Sequence, residues 1–91
     1  MPSRRPERVS GLLLETIAET LLREVKDPRV STVTLTGVRI GPDLKAAKIF
    51  FTLRKKEDLA NALAGLRKAT GFIRRQVAGR LQLRYVPELE F

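Results

Sequence analysis

The hydrophobic period of this chain changes from four to two at a single residue, Pro28. Before it, Val9, Leu13, Ile17, Leu21 and Val25 recur at i+4, flanked by Leu12, Leu14, Ala18 and Leu22. That spacing puts one apolar stripe on an α-helix over residues 6–26. Pro6 suits the first turn, where its missing N–H is not needed, and Glu7 suits the positive helix end. Pro28 disfavours helical geometry in the residue before it, so the helix is expected to stop near Lys26-Asp27.

Residues 30–40 read as a strand. Val33 and Leu35 share one face, and Thr32, Thr34 and Thr36 take the other. Beyond Gly37 the apolar phase slips to Val38 and Ile40, and a glycine at a phase slip indicates a β-bulge. Gly41-Pro42-Asp43 is a turn. Ala47, Ile49, Phe51 and Leu53 then alternate with Lys48, Phe50 and Thr52, giving a second strand that pairs with the first as a hairpin.

The helical period returns over residues 57–82, with Leu59, Leu63 and Leu66 in one stripe and Ile73, Val77 and Leu81 in another. A single helix of that length would reach about 39 Å. A globule of this size has a diameter of only roughly 30 Å. Ala69-Thr70-Gly71 lies between the stripes, and glycine is a poor helix-interior residue, so two helices broken there are expected. Leu83-Arg84-Tyr85-Val86 reads as a short last strand ended by Pro87. Helices between the second and third strands imply a parallel pair with a right-handed crossover. The expected order is α-β-β-α-α-β, an α+β domain with three helices on one face of a small mixed three-stranded sheet. With 91 residues the chain is read as one domain, 1–91, in which residues 1–5 form a flexible basic arm.

Charge narrows the partner. Lys plus Arg is 18 and Asp plus Glu is 10, a net charge of +8, which points to a polyanion, nucleic acid before a membrane surface. The positive charge is uneven. Residues 1–58 are net +4, residues 59–87 are net +6 without a single acid, and residues 88–91 are net −2. The acid-free stretch holds Arg67, Lys68, Arg74, Arg75, Arg80 and Arg84, centred on the expected helix break. Were Gly71 to open a helix there, free N–H groups and a bare backbone would suit a phosphate, with Arg74 and Arg75 in the next turn. The plain alternative is a solvated face and an ordinary glycine break. Arg4, Arg5 and Arg8 form a second basic group, either an arm reaching a phosphate backbone or a frayed end. Lys45, Lys48, Arg54, Lys55 and Lys56 form a third, which surface solubility explains as well as binding does. Of the five aromatic residues only Phe50 takes the outward phase of its strand, either to stack a base or to pack under Leu89-Glu90-Phe91.

The chain has no Cys and no His. That excludes disulfides, cysteine nucleophiles, Zn sites built on Cys or His, and imidazole acid–base chemistry. Asp27 and Asp43 stand in turn contexts beside Pro and have structural explanations. No Gly-x-x-x-x-Gly-Lys loop occurs. With no long apolar segment and no charge-free apolar stretch near the start, a membrane span and a secretory signal are not expected, and the protein is read as cytoplasmic. A monomer is expected because one core consumes the apolar positions.

These segments together resemble the ribosome-binding factor A family. Arg8 opens the first helix and Glu24-Val25-Lys26-Asp27-Pro28-Arg29 closes it. Val33-Thr34-Leu35-Thr36-Gly37-Val38, Asp43-Leu44-Lys45-Ala46-Ala47-Lys48-Ile49, Ala69-Thr70-Gly71-Phe72-Ile73-Arg74 and Leu83 to Phe91 follow in order, covering nearly the whole chain. The resemblance implies a type II KH-like fold in which an Ala-x-Gly kink, here Ala69, Thr70 and Gly71, replaces the usual Gly-x-x-Gly loop. It implies a non-enzymatic factor without cofactor or metal, which binds folded rRNA of the small ribosomal subunit near the 5′-terminal helix and decoding region. Family members assist late subunit maturation and cold adaptation, and a maturation GTPase helps release them. The charge alone fits a general RNA- or DNA-binding KH-type module equally well. A small RNA-processing enzyme or a protein-interaction domain fits it less well.

Overall fold

The computed structural model of the protein describes residues 6–43, 45–83 and 85–91. The first helix, α1, runs Pro6–Arg23. Its inward face is Val9, Leu13, Thr16, Ile17 and Thr20, all buried. The two threonines sit in the apolar stripe without an orphaned hydroxyl at Thr20, whose Oγ1 donates to the Thr16 carbonyl at 2.8 Å. The helix ends at Arg23, earlier than the Lys26-Asp27 boundary expected from Pro28. The Thr20 carbonyl accepts from both Glu24 N and Val25 N, at 2.9 and 3.1 Å, and this shared acceptor closes the last turn.

The influence of Pro28 falls instead on a separate 3-10 turn, Pro28–Val30. Asp27 is extended, as the residue before a proline should be, and caps the turn through its side chain. Val30 is buried as part of this turn, not of a strand. The first strand, β1, therefore begins later than expected and runs Val33–Ile40. It pairs antiparallel with β2, Ala46–Leu53, as the alternation predicts. The register shifts between Leu35, opposite Phe51, and Gly37, opposite Phe50, so the expected bulge is present at Thr36-Gly37. Lys45 N donates to Asp43 Oδ1 at 3.0 Å in the connecting turn.

The second half differs from expectation in two places. First, α2 is one helix, Leu59–Leu81, with Ala69, Thr70 and Gly71 inside it. Gly71 does not adopt a positive φ, so the freedom of glycine is not used to break the chain. Thr70 Oγ1 donates to the Leu66 carbonyl at 2.9 Å, one turn back. The buried stripe runs unbroken through Ala62, Leu66, Ile73 and Val77, with Ala69 half-buried against the core between them. The small residues Ala62 and Ala69 carry its continuity. Leu59, counted in the stripe from sequence, is 48% exposed. The length objection fails because the domain is elongated, 45 × 22 × 17 Å. At 1.5 Å per residue α2 spans only about 34 Å. There are thus two α-helices, not three, among the described residues.

Second, the last strand, β3, is Glu88–Glu90 and not Leu83 to Val86. Gln82 takes the left-handed conformation (φ 52°) that ends α2, and Pro87 precedes the strand instead of ending it. Glu88 N donates to the Lys45 carbonyl at 2.9 Å. Leu89 is buried between exposed Glu88 and Glu90. β3 lies parallel to β2, Ala47 opposite Leu89, in the order β1-β2-β3. The mixed sheet and the parallel last pair are as expected. The core joins Val9, Leu13 and Ile17 of α1, Ile73 and Val77 of α2, and Ile40, Ala47, Ile49 and Leu89 of the sheet. Both helices therefore cover one face of the sheet, and no other element among the described residues covers the opposite face.

Candidate nucleic-acid interface

On α2 the positions left exposed are as regular as the buried ones. Arg67, Gly71 and Arg75 follow at i+4 on the solvent side, with Lys68 beside them. None of these three cations forms an ion pair among the described residues, whose pairs are Asp27–Arg29, Glu19–Arg80 and Glu24–Arg80. A Cβ on Gly71 would meet only Arg75 Nη1, at 3.6 Å. The Arg75 guanidinium thus lies over the Gly71 stretch of the helix, where no other described side chain comes within 4 Å of that position.

The structure separates the remaining sequence candidates. Arg74, adjacent to Arg75, is half-buried on another side of α2, and its Nη2 donates to the Val86 carbonyl at 2.8 Å. Arg80 is turned toward α1, where it meets Glu19 at 3.4 Å and Glu24. Arg8 is exposed on α1. Arg4, Arg5 and Arg84, and the expected arm over residues 1–5, lie outside the described residues. Because α2 is continuous, Gly71 does not offer the free N–H groups of a helix start. Any anion held here is held by side-chain charge.

Asp27 has a structural task. Its Oδ1 accepts from Arg29 N at 2.9 Å, and its carboxylate takes a forked contact from the Arg29 guanidinium, closest at 2.7 Å. The hydrogen bonds from the Arg29 side chain and then from its backbone hold the Asp27 carboxyl at a pKa of about 2. This turn packs on α2 at Gly65, a buried residue that reading by apolar period passes over. The available signal was a glycine inside a helical pattern, which calls for a packing reason. Val25, Lys26, Asp27, Gly65, Lys68 and Ala69 help line a shallow groove between the turn and α2. Lys68 stands on its rim and also lowers the Asp27 pKa through space.

The sequence model of the ribosome-binding factor A family matches residues 5–91. A protein of Syntrophus aciditrophicus named ribosome-binding factor A is 49% identical over 90 residues, covering 97% of this chain and 72% of that protein. The crystal structure of ribosome-binding factor A from Thermus thermophilus superposes with a TM-score of 0.84 at 25% identity, covering 97% of this chain and 94% of that one. A homology model of the Thermus thermophilus factor, fitted into a cryo-EM map of a 30S complex with that factor, superposes with a TM-score of 0.74 at 27% identity. It covers 89% of this chain and 86% of that one.

Proposed function

This chain belongs to the ribosome-binding factor A family, and on that footing we propose that it binds the small ribosomal subunit through folded rRNA. The observation that carries the reading is the exposed, acid-free row Arg67, Lys68 and Arg75 on α2. Three cations without an ion pair among the described residues, on a rigid helix, hold a fixed spacing against a phosphate backbone, at little cost in ordering. The Thermus thermophilus relative fitted in a 30S complex supports the same partner. Arg8, with Arg4, Arg5 and Arg84, adds positive charge to the contact. Arg74 and Arg80 serve it indirectly, Arg74 by holding the segment that leads to β3 and Arg80 by tying α2 to α1.

The rRNA contacted lies near the 5′-terminal helix and the decoding region. The protein acts late in maturation of the subunit and in cold adaptation, and a maturation GTPase aids its release. It works by occupying and shifting rRNA helices, as a cytoplasmic monomer without catalysis or cofactor. No helix among the described residues is long and apolar enough to cross a membrane.

Co-sedimentation with purified small and large subunits at two salt concentrations tests this. Stoichiometric binding to the small subunit alone is the expected result. Equal binding to both subunits, lost as salt rises, would reduce the protein to a general polyanion binder.

A further inference from the structure

The sheet face opposite the helices is open, and its outward side chains are not those of an idle surface. Across β1 and β2 the outward rows are Thr34 with Thr52, Gly37 with Phe50, and Arg39 with Lys48. Phe50 is 48% exposed. An aromatic residue opposite a glycine usually covers it, which is the ordinary structural use of such a pair. That use is absent here, because a Cβ built on Gly37 would find no atom within 4 Å. About half of the ring is exposed, and no described atom stands over the Gly37 position opposite it. Arg39 and Lys48 stand directly opposite each other in the next row, and Lys48 has Glu90 of β3 opposite it on its other side, so Arg39, at the outer edge of the row, is the cation without an acidic residue across the strand. Lys45 before β2 and Arg54 and Lys55 after it are exposed as well. A shallow cleft of about 360 Å³ opens beside the ring, lined by Lys48, Ile49, Phe50, Phe51, Glu90 and Phe91.

We propose that this open face is a second RNA contact, in which an unpaired base stacks on Phe50 while its flanking phosphates lie against Arg39 and Lys48. It extends the rRNA-binding reading above but uses none of the same residues. A flat exposed ring takes any base by its π-face, and neighbouring cations set the path of the backbone. The acidic side chains Glu88 and Glu90 on β3 confine that path to the β1–β2 side of the sheet.

The chain contains no Trp, so Phe50→Trp places a single indole at the site. Titration with a short oligouridine should quench its fluorescence, and an abasic strand of equal length should not. Phe50→Leu keeps an apolar side chain without a π-face. It should weaken oligouridine binding about five-fold or more, the lower end for one stacked base, with an unchanged melting temperature. Equal quenching by the abasic strand, or equal affinity of Phe50→Leu and the parent, would overturn the proposal. An indole that stays unquenched by RNA but shifts to the blue on intact subunits would assign the face to a protein and also overturn it. Arg67→Glu with Arg75→Glu, measured on the small subunit, separates the two readings. Loss of subunit binding with normal Trp quenching in the same background leaves both standing. Retained subunit binding with quenching removes the helix reading alone.

Discussion

A Cβ on Gly65 would lie 2.9 Å from Cγ1 of Val30, with Arg29 Cβ at 3.2 Å and Asp27 Oδ2 at 3.3 Å. α2 and the Pro28–Val30 turn meet at a distance that only glycine allows. Val30 is buried and belongs to a turn fixed by the Asp27 cap, so moving it away from α2 disturbs that turn. Gly65→Ala should therefore destabilise, despite the roughly 1 kcal/mol that alanine contributes to a helix interior. Overpacking costs about 1–3 kcal/mol. The net is a loss of up to about 2 kcal/mol, read as a lower melting temperature in calorimetry. A rise would mean that the turn does not rest on α2.

Gly71 predicts the opposite sign. It is exposed, lies inside α2 and has an ordinary helical φ. A Cβ there meets only the end of the flexible Arg75 side chain. Gly71→Ala should raise stability by about 0.5–1 kcal/mol, or several degrees in melting temperature for a domain of this size. A fall would show that Gly71 needs a conformation that alanine resists.

That contrast marks what the sequence made legible. α1 could be read because its inward positions include Val9, Leu13 and Ile17, large residues at a strict spacing. The hairpin and its bulge could be read because Val33 and Leu35 alternate with threonines up to Gly37 and the apolar phase slips there. The continuity of α2 is not legible because Gly71 is a poor helix-interior residue and a compact globule of this size would be too narrow for the helix, whereas the domain is elongated and Gly71 keeps an ordinary helical φ. The place of β3 is not legible because Leu83, Tyr85 and Val86 have higher strand propensity than Glu88-Leu89-Glu90. Pairing with β2 and burial of Leu89 decide the matter, and both are tertiary. In the candidate interface, the basic segment on α2 was legible. The division between exposed Arg67, Lys68 and Arg75 and committed Arg74 and Arg80 depends on partners distant in sequence, Glu19, Glu24 and Val86.

The Asp27–Arg29 turn predicts an acid-limb effect. The Asp27 carboxyl has an ordinary pKa of 3.8 and a folded value of about 2. A lowered carboxylate pKa contributes stability above the unfolded value, and that contribution is lost as pH falls through the folded one. Melting temperature should therefore drop between about pH 4 and pH 2. Asp27→Asn should start lower at neutral pH and show a shallower drop in that window. Carboxyl-carbon NMR titration checks the cause directly, because an Asp27 midpoint near 3.8 would mean that the contact with Arg29 is not formed in solution.

The last prediction divides the arginines of α2 by the partners they keep. Arg67 and Arg75 are exposed without an ion pair among the described residues, whereas Arg80 already faces Glu19 and Glu24. If phosphate contacts dominate binding, each contributes about 0.7–0.9 to the slope of log K against log salt. Arg67→Gln with Arg75→Gln should then flatten the slope for small-subunit binding by about 1.4–1.8 and weaken binding at low salt most. Arg80→Ala should leave the slope unchanged and cost only about 0–1 kcal/mol of stability, as expected for exposed pairs. Arg74→Ala removes the donor that Val86 uses, so it should loosen the segment leading to β3. That loss appears as faster amide exchange at Leu89, which sits in the paired strand, before it appears in affinity. The same slope change for Arg80→Ala as for the Arg67 and Arg75 pair would mean that the contact surface lies toward α1 and not along the exposed row.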